Sequence, residues 1–201
     1  VHLKCSMLGK MPGDREDKFA NLKLAYAYMC GHPGKKLLFM GQEFGQWNEW
    51  SEKRALDWYL LEDDSHKELK DFTKACLILN KKYRCLYETD YSPEGFRWIN
   101  ANDKDNSVFS FIRISPDKKR HLLFVFNFTP VERPNHRIGV PVKGKYKLVL
   151  GDDMKNQKKT LTSVRGECDG YKESLLIDLH RYGIAVYEFN GDVNAHKPTN
   201  I

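Results

Sequence analysis

The residues best suited to chemistry are gathered in Gly41-Gln42-Glu43-Phe44-Gly45-Gln46-Trp47-Asn48-Glu49-Trp50, with Leu56-Asp57-Trp58-Tyr59 a short way on. Sugars present hydroxyls around their edges and C–H patches on their faces. Amides and carboxylates hydrogen-bond the first, and Trp or Tyr rings cover the second. The same aromatics serve equally well to pack a loop onto the domain beneath it, and composition leaves both readings open. A retaining glycosidase sets two carboxylates about 5–5.5 Å apart. The spacing of Glu43, Glu49, Asp57, Asp63 and Asp64 forces no two of them together, and Asp63 and Asp64 precede a helix whose dipole accounts for them. The seven histidines form no His-x-His or His-Glu-x-x-His pattern, and the five cysteines form no Cys-x-x-Cys. No metal site and no cofactor is therefore expected. Met7-Leu8-Gly9-Lys10 lacks the first glycine of a phosphate loop, and Asn127-Phe128-Thr129 matches a glycosylation sequon only on a strand-like run just before Pro130.

Two textures divide the elements that must position these residues. In the first 90 residues the pattern reads helix, strand, long loop, helix. Asp14 opens the first helix, with Glu16 and Asp17 in its first turn and an apolar stripe of Phe19, Leu22, Tyr26 and Met29. Gly31 and Pro33 stop it. Leu37-Leu38-Phe39-Met40, apolar on both faces between Gly34 and Gly41, fits a buried strand of a parallel sheet. The aromatic and amide segment follows it directly, at the end of a strand where parallel β/α architectures carry function. Ser65, with Glu68 completing a capping box, begins a second helix whose stripe runs Leu69, Phe72, Cys76, Leu79, Tyr83, Leu86.

From about residue 92 the period shortens. Residues 107–114, 122–128, 146–150, 174–179 and 184–189 are β-branched or aromatic runs. Between them lie turn signals such as Pro116-Asp117, Pro134-Asn135 and Gly151-Asp152-Asp153. Short strands with no helices between them predict a β-sandwich. The tail from Asn190 is polar and expected to fray.

Composition excludes several classes. The chain has 201 residues, 41 % hydrophobic and 30 % charged, which is the balance of a globular protein. No apolar run reaches the roughly 18 residues of a membrane span. Thirty-three basic and 27 acidic side chains leave a mild +6. The longest basic run, Lys118-Lys119-Arg120-His121, sits between strand-like segments as a solvated turn, so neither nucleic acid nor membrane is an expected partner. An odd, scattered set of cysteines (Cys5, Cys30, Cys76, Cys85, Cys168) predicts reduced, buried thiols in a cytoplasmic protein.

The stretches Met7-Leu8-Gly9-Lys10-Met11-Pro12-Gly13-Asp14, Lys18-Phe19-Ala20-Asn21-Leu22 and His32-Pro33-Gly34-Lys35-Lys36-Leu37-Leu38-Phe39-Met40-Gly41, followed by Glu43-Phe44-Gly45-Gln46-Trp47 and Leu56-Asp57-Trp58, are specific. Together they resemble the bacterial-type 1,4-alpha-glucan (glycogen) branching enzymes of the alpha-amylase clan. Pro93-Glu94-Gly95-Phe96-Arg97-Trp98-Ile99 and Asn127-Phe128-Thr129-Pro130-Val131 are similar to that family's carboxy-terminal domain.

The resemblance covers about residues 1 to 190 and implies an α+β fragment. Residues 1–90 would close a (β/α)8 barrel with helix seven, strand eight, its loop and helix eight. Residues 91–201 would be the terminal all-β sandwich. The family cuts an α-1,4 glucan and rejoins the piece through an α-1,6 bond, so glycogen or amylose is the implied partner. Its catalytic carboxylates follow strands four, five and seven, and Val1-His2 resembles the residues just after the last of them. The resemblance therefore implies no catalytic residue in this chain. It leaves Glu43, Phe44, Gln46 and Trp47 as substrate-binding residues on the glucan-facing rim. A non-catalytic glucan-binding or scaffolding module is the second reading.

Overall fold

The computed structural model describes residues 4–194; Val1, His2 and the end of the polar tail lie outside them. Three layers stack: two long helices, a six-stranded sheet and a three-stranded sheet. The first is α2 (Arg15–Gly31), preceded by a single turn, α1 (Met7–Lys10), and the second is α3 (Asp64–Lys82). Asp14 caps α2 by accepting from the Asp17 amide at 2.9 Å, as its position before an acidic first turn predicts. The cap of α3 differs from expectation. Asp63, and not Ser65, occupies it and accepts from the Ser65 amide at 2.9 Å, leaving Glu68 to pair with Lys23 of α2 at 3.3 Å.

The strands are β1 (Phe96–Asn100), β2 (Val108–Arg113), β3 (His121–Asn127), β4 (Arg133–Val140), β5 (Lys145–Gly151), β6 (Thr160–Thr162), β7 (Val164–Cys168), β8 (Tyr171–Leu179) and β9 (Ile184–Phe189). They form two antiparallel sheets, β1-β2-β3-β9-β5-β6 and β4-β8-β7. All seven residues of β3 are buried because both faces of its sheet are covered. Leu123 and Val125 point into the core shared with the smaller sheet, alongside Leu175, Ile177 and Tyr187. Leu122, Phe124 and Phe126 point to the helices, against Leu24, Ala27, Phe72, Cys76 and Leu79. In β8, by contrast, Lys172, Leu176 and Asp178 face solvent while Tyr171, Leu175, Ile177 and Leu179 are buried, so the smaller sheet is covered on one side only.

The apolar stripe from Leu69 to Leu86, which runs past the end of α3 at Lys82, is buried throughout. From Phe72 to Leu86 it lies on the six-stranded sheet, each large apolar side chain contributing about 1.5–3 kcal/mol on burial. Helix α2 is buried on two sides, through Leu24, Ala27 and Cys30 toward the sheet and through Phe19, Leu22 and Tyr26 toward a small third cluster. Its last residue, Gly31, meets the face of Phe124 so closely that a Cβ there would sit 2.6 Å from the ring.

A buried salt bridge joins the layers. The Arg113 guanidinium of β2, with no exposed side-chain surface, donates to Asp90 Oδ1 (3.0 Å), to the Gly31 carbonyl at the end of α2 (2.8 Å) and to the Gly95 carbonyl (3.3 Å). Asp90 Oδ2 accepts in turn from the Gly34 amide at 3.0 Å.

Four expectations are corrected. Leu37-Leu38-Phe39-Met40 is neither a strand nor buried: the backbone is irregular, Leu37 is 76 % exposed, and Phe39 and Met40 are about half exposed. A strand needs paired strands on its edges and cover on its faces, and among the described residues no strand pairs with this run. Pro134-Asn135 is not a turn but a bulge inside β4, with Asn135 at φ 51° and its amide donating to Asp178 Oδ1 at 2.8 Å. The chain after Asn190 stays docked as far as Val193, which is fully buried in the sandwich core. Cys5 is exposed and Cys168 partly so, although all five thiols are free.

Candidate functional site

Two separate segments meet above the third apolar cluster to form a cleft of about 320 Å³. One wall is residues 5–10. Ser6 Oγ accepts from the Gly9 amide at 3.0 Å and caps the single turn of α1. Leu8 plugs that turn into Phe19, Leu22, Tyr26 and Leu69, while Lys18 Nζ of α2 donates to the Gly9 and Met11 carbonyls and fixes its far end.

The other wall is residues 39–50. A 3-10 turn over Gln42–Phe44 is bracketed by Gly41 at φ 85° and Gly45 at φ 69°. Both positions need a left-handed backbone, and at Gly45 a Cβ would also lie 2.6 Å from Leu69 Cδ2. Each helix holds this turn by one backbone carbonyl. Tyr26 OH of α2 donates to the Gln42 carbonyl at 2.7 Å, and His66 Nδ1 of α3 donates to the Phe44 carbonyl at 2.8 Å. Burial, and then the charge of Glu43, push the Tyr26 phenol well above its ordinary value, so it remains a neutral donor.

The four residues expected on the rim separate in space. Gln46 borders the cleft but is almost wholly buried, with both polar atoms of its side chain engaged. Its Nε2 donates to the Asn48 carbonyl and its Oε1 accepts from the Asp57 amide, both at 2.9 Å. Phe44 has no exposed surface and packs on Trp58 with ring centres 5.0 Å apart. Trp47 is half-buried, edge-on to Phe19 and to His66 at 6.0 Å each. Glu43 lies on the back of the loop, in a separate hollow with Lys67, Lys70 and Lys74.

The cleft itself is lined by Phe39, Gln42, Asn48, Glu49 and Trp50 opposite Ser6 and Lys10. Phe39 and Trp50 meet edge to face at 5.2 Å and give it an aromatic wall. Asn48 Nδ2 donates to Asp57 Oδ2 at 2.8 Å, and Arg54 donates to the Glu49 carbonyl at 2.6 Å, bracing the outer turn. The sequence reading missed Tyr26 and His66 as loop anchors. His66 stands one turn ahead of Leu69 on the buried stripe, which was the available signal. Among the described residues no three His, Cys, Asp or Glu side chains could hold a metal ion, and no helix is long and apolar enough to cross a membrane. The Asn127 amide donates to the Val131 and His180 carbonyls and its oxygen accepts from Thr129, so the sequon is buried and occupied.

Residues 98–190 match the family described as the alpha amylase C-terminal all-beta domain. The chain is 48 % identical over 196 residues to the 1,4-alpha-glucan branching enzyme GlgB of Butyrivibrio fibrisolvens, covering 94 % of this chain and 31 % of that protein. It is 48 % identical over 155 residues to GlgB of Aquifex aeolicus, covering 77 % and 25 %, and 51 % identical over 156 residues to GlgB of Thiobacillus denitrificans, covering 76 % and 21 %. Over most of its length this chain is similar to one part of the glucan branching enzymes. It spans about a third or less of the length of the curated relatives it matches. In fold it is similar to a MutB mutant solved in complex with glucose (TM-score 0.56, 13 % identity, 90 % of this chain and 40 % of that one). Isomaltulose synthase PalI from Klebsiella sp. LX3 is similar too (TM-score 0.53, 12 % identity, 84 % and 38 %).

Proposed function

We propose that residues 1–90 close the (β/α)8 barrel of a glucan branching enzyme, that residues 91–201 form its terminal sandwich, and that the cleft is one wall of the site where an α-1,4 glucan is held during transfer to an α-1,6 branch point. The meeting of residues 5–10 with residues 39–50 carries this reading. The family resemblance assigns these two segments to the regions after barrel strands seven and eight, and barrel enzymes build their active sites from such loops. The amide and aromatic lining supports a sugar ligand: Gln42 and Asn48 for hydroxyls, Phe39 and Trp50 for the C–H faces.

Within this reading the four rim residues act mainly on the shape of the wall. Gln46 ties its two ends, Phe44 and Trp47 support it from below, and Glu43 stands behind it. The cleft lining holds a single carboxylate, Glu49. Retaining glycosyl transfer needs two, one as nucleophile and one as acid and base. The chain thus supplies substrate-facing surface, and the sandwich buttresses the helices that carry it. Location in the cytoplasm belongs to the same proposal, with the five free thiols in support.

The test is Trp50→Ala in a complete enzyme containing this chain. Loss of a ring worth about 0.5–1.5 kcal/mol of stacking should raise KM for amylose about 2- to 10-fold. Unchanged KM and kcat would count against the assignment.

A further inference from the structure

Two of the five thiols face each other across the helix pair. Cys30 lies in the last turn of α2 and Cys76 in the middle of α3, both buried, and Cys30 Sγ donates to the Cys76 carbonyl at 3.2 Å. Both border a small cavity of about 20 Å³, room for one water-sized molecule, whose lining includes Lys36 and Thr73. Its lining also includes Leu77, which is 54 % exposed, so the cavity lies beneath a surface side chain. The Lys36 ammonium is held close by the His32 and Gly34 carbonyls, each at 2.6 Å.

We propose that Cys30 and Cys76 form a peroxide-oxidisable dithiol that closes to an intrachain disulfide clamping α2 to α3. The electrostatics agree with this assignment of roles. A hydrogen bond between the Cys30 and Cys76 side chains, helped by the charges of Lys36 and Arg113, outweighs burial and holds the Cys30 thiol below its ordinary value. The same hydrogen bond, and then burial, push Cys76 up. Cys30 is therefore the nucleophile and Cys76 the resolving thiol. The Cys30 thiolate attacks one oxygen of hydrogen peroxide: the S–O bond forms, the O–O bond breaks and hydroxide leaves. Cys76 sulfur then attacks the sulfenic sulfur: the S–S bond forms, the S–O bond breaks, and the departing hydroxide takes the Cys76 proton as water. Two thiols lose two electrons and one peroxide becomes two waters.

The other thiols lack this arrangement. Burial pushes Cys85 up to about 12, and burial with Asp169 pushes Cys168 up to about 11. Cys5 is exposed on the cleft wall with no second cysteine among the residues lining it. Because Tyr26 and His66 anchor the cleft loop from α2 and α3 respectively, the clamp would fix the spacing of those two anchors.

The experiment treats the whole chain with hydrogen peroxide, blocks remaining thiols by alkylation, digests without reductant and reads the peptides by mass spectrometry. The expected product is a linked pair carrying Cys30 and Cys76, lighter than the two free peptides by two hydrogens and separated by dithiothreitol. Cys85→Ser should leave it intact, and Cys76→Ser should abolish it. Recovery of Cys30 and Cys76 as free, alkylated thiols at a dose that consumes Cys5 would overturn the proposal. So would Cys30 recovered as sulfinic acid without a link, or linked to a different cysteine. The wild-type measurement decides even if a variant fails to fold, and it is independent of the glucan reading.

Discussion

Asp90→Ala isolates the contact that joins the helical layer to the sandwich. In the folded chain Arg113 has no exposed side-chain surface, and among the described residues Asp90 is its only carboxylate partner. Removing that carboxylate leaves a guanidinium buried between strand β2 and the end of α2, still held by the Gly31 and Gly95 carbonyls but no longer neutralised. Breaking one side of a buried pair costs about 3–5 kcal/mol, and the Gly34 amide loses its acceptor as well. At about 2–4 °C per kcal/mol for a chain of this size, Tm should fall by about 6–20 °C. Scanning calorimetry at pH 7 measures the shift, with circular dichroism in the helix and sheet bands falling in one transition. Adding Arg113→Met should recover part of the loss by removing the stranded charge, though the two carbonyls then lack their donor. A shift under about 2 °C, or separate helix and sheet transitions, would refute the idea that this pair locks the layers together.

Two further perturbations probe the loop and the pH response. Gly45→Ala must carry a side chain at φ 69° against Leu69 and should cost about 1–3 kcal/mol in a denaturant titration; an unchanged midpoint would show that the turn is not fixed as described. His121 is buried, with Nδ1 accepting from the Ser115 amide and Nε2 donating to the Lys118 and Gly191 carbonyls, and burial pushes its pKa below the usual 6.5. His136 is lowered by burial too. Below about 6.5 the unfolded chain gains these protons before the folded chain does, so stability should fall as pH drops from there. NMR titration of the His121 ring should give a midpoint under 6.5, and a midpoint above it contradicts the assignment.

Much of the architecture was legible because burial leaves a period in the sequence. The α3 stripe and the strand runs of β2, β3, β5, β8 and β9 follow from apolar spacing, and Asp14 marks the start of α2 by its chemistry. What escaped depends on partners distant in sequence. Leu24, Ala27 and Cys30 give α2 a second buried face that exists only because the six-stranded sheet lies against it. Leu37 to Met40 has the composition of a covered strand, yet composition cannot supply the neighbours that would pair with it. β6 and β7 are short and polar, with most side chains exposed or half-exposed, so no apolar pattern marks them. In the site, the informative loop was located, but its side chains point in different directions. The left-handed turns at Gly41 and Gly45 send Glu43 behind the wall, Phe44 into the core and Gln46 into the backbone.

The most direct measurement incubates the purified 201-residue chain with amylose and follows α-1,6 anomeric signals by proton NMR alongside iodine absorbance. A cleft wall with one carboxylate predicts no α-1,6 signal and constant absorbance. New α-1,6 linkages formed by this chain unaided would contradict the account.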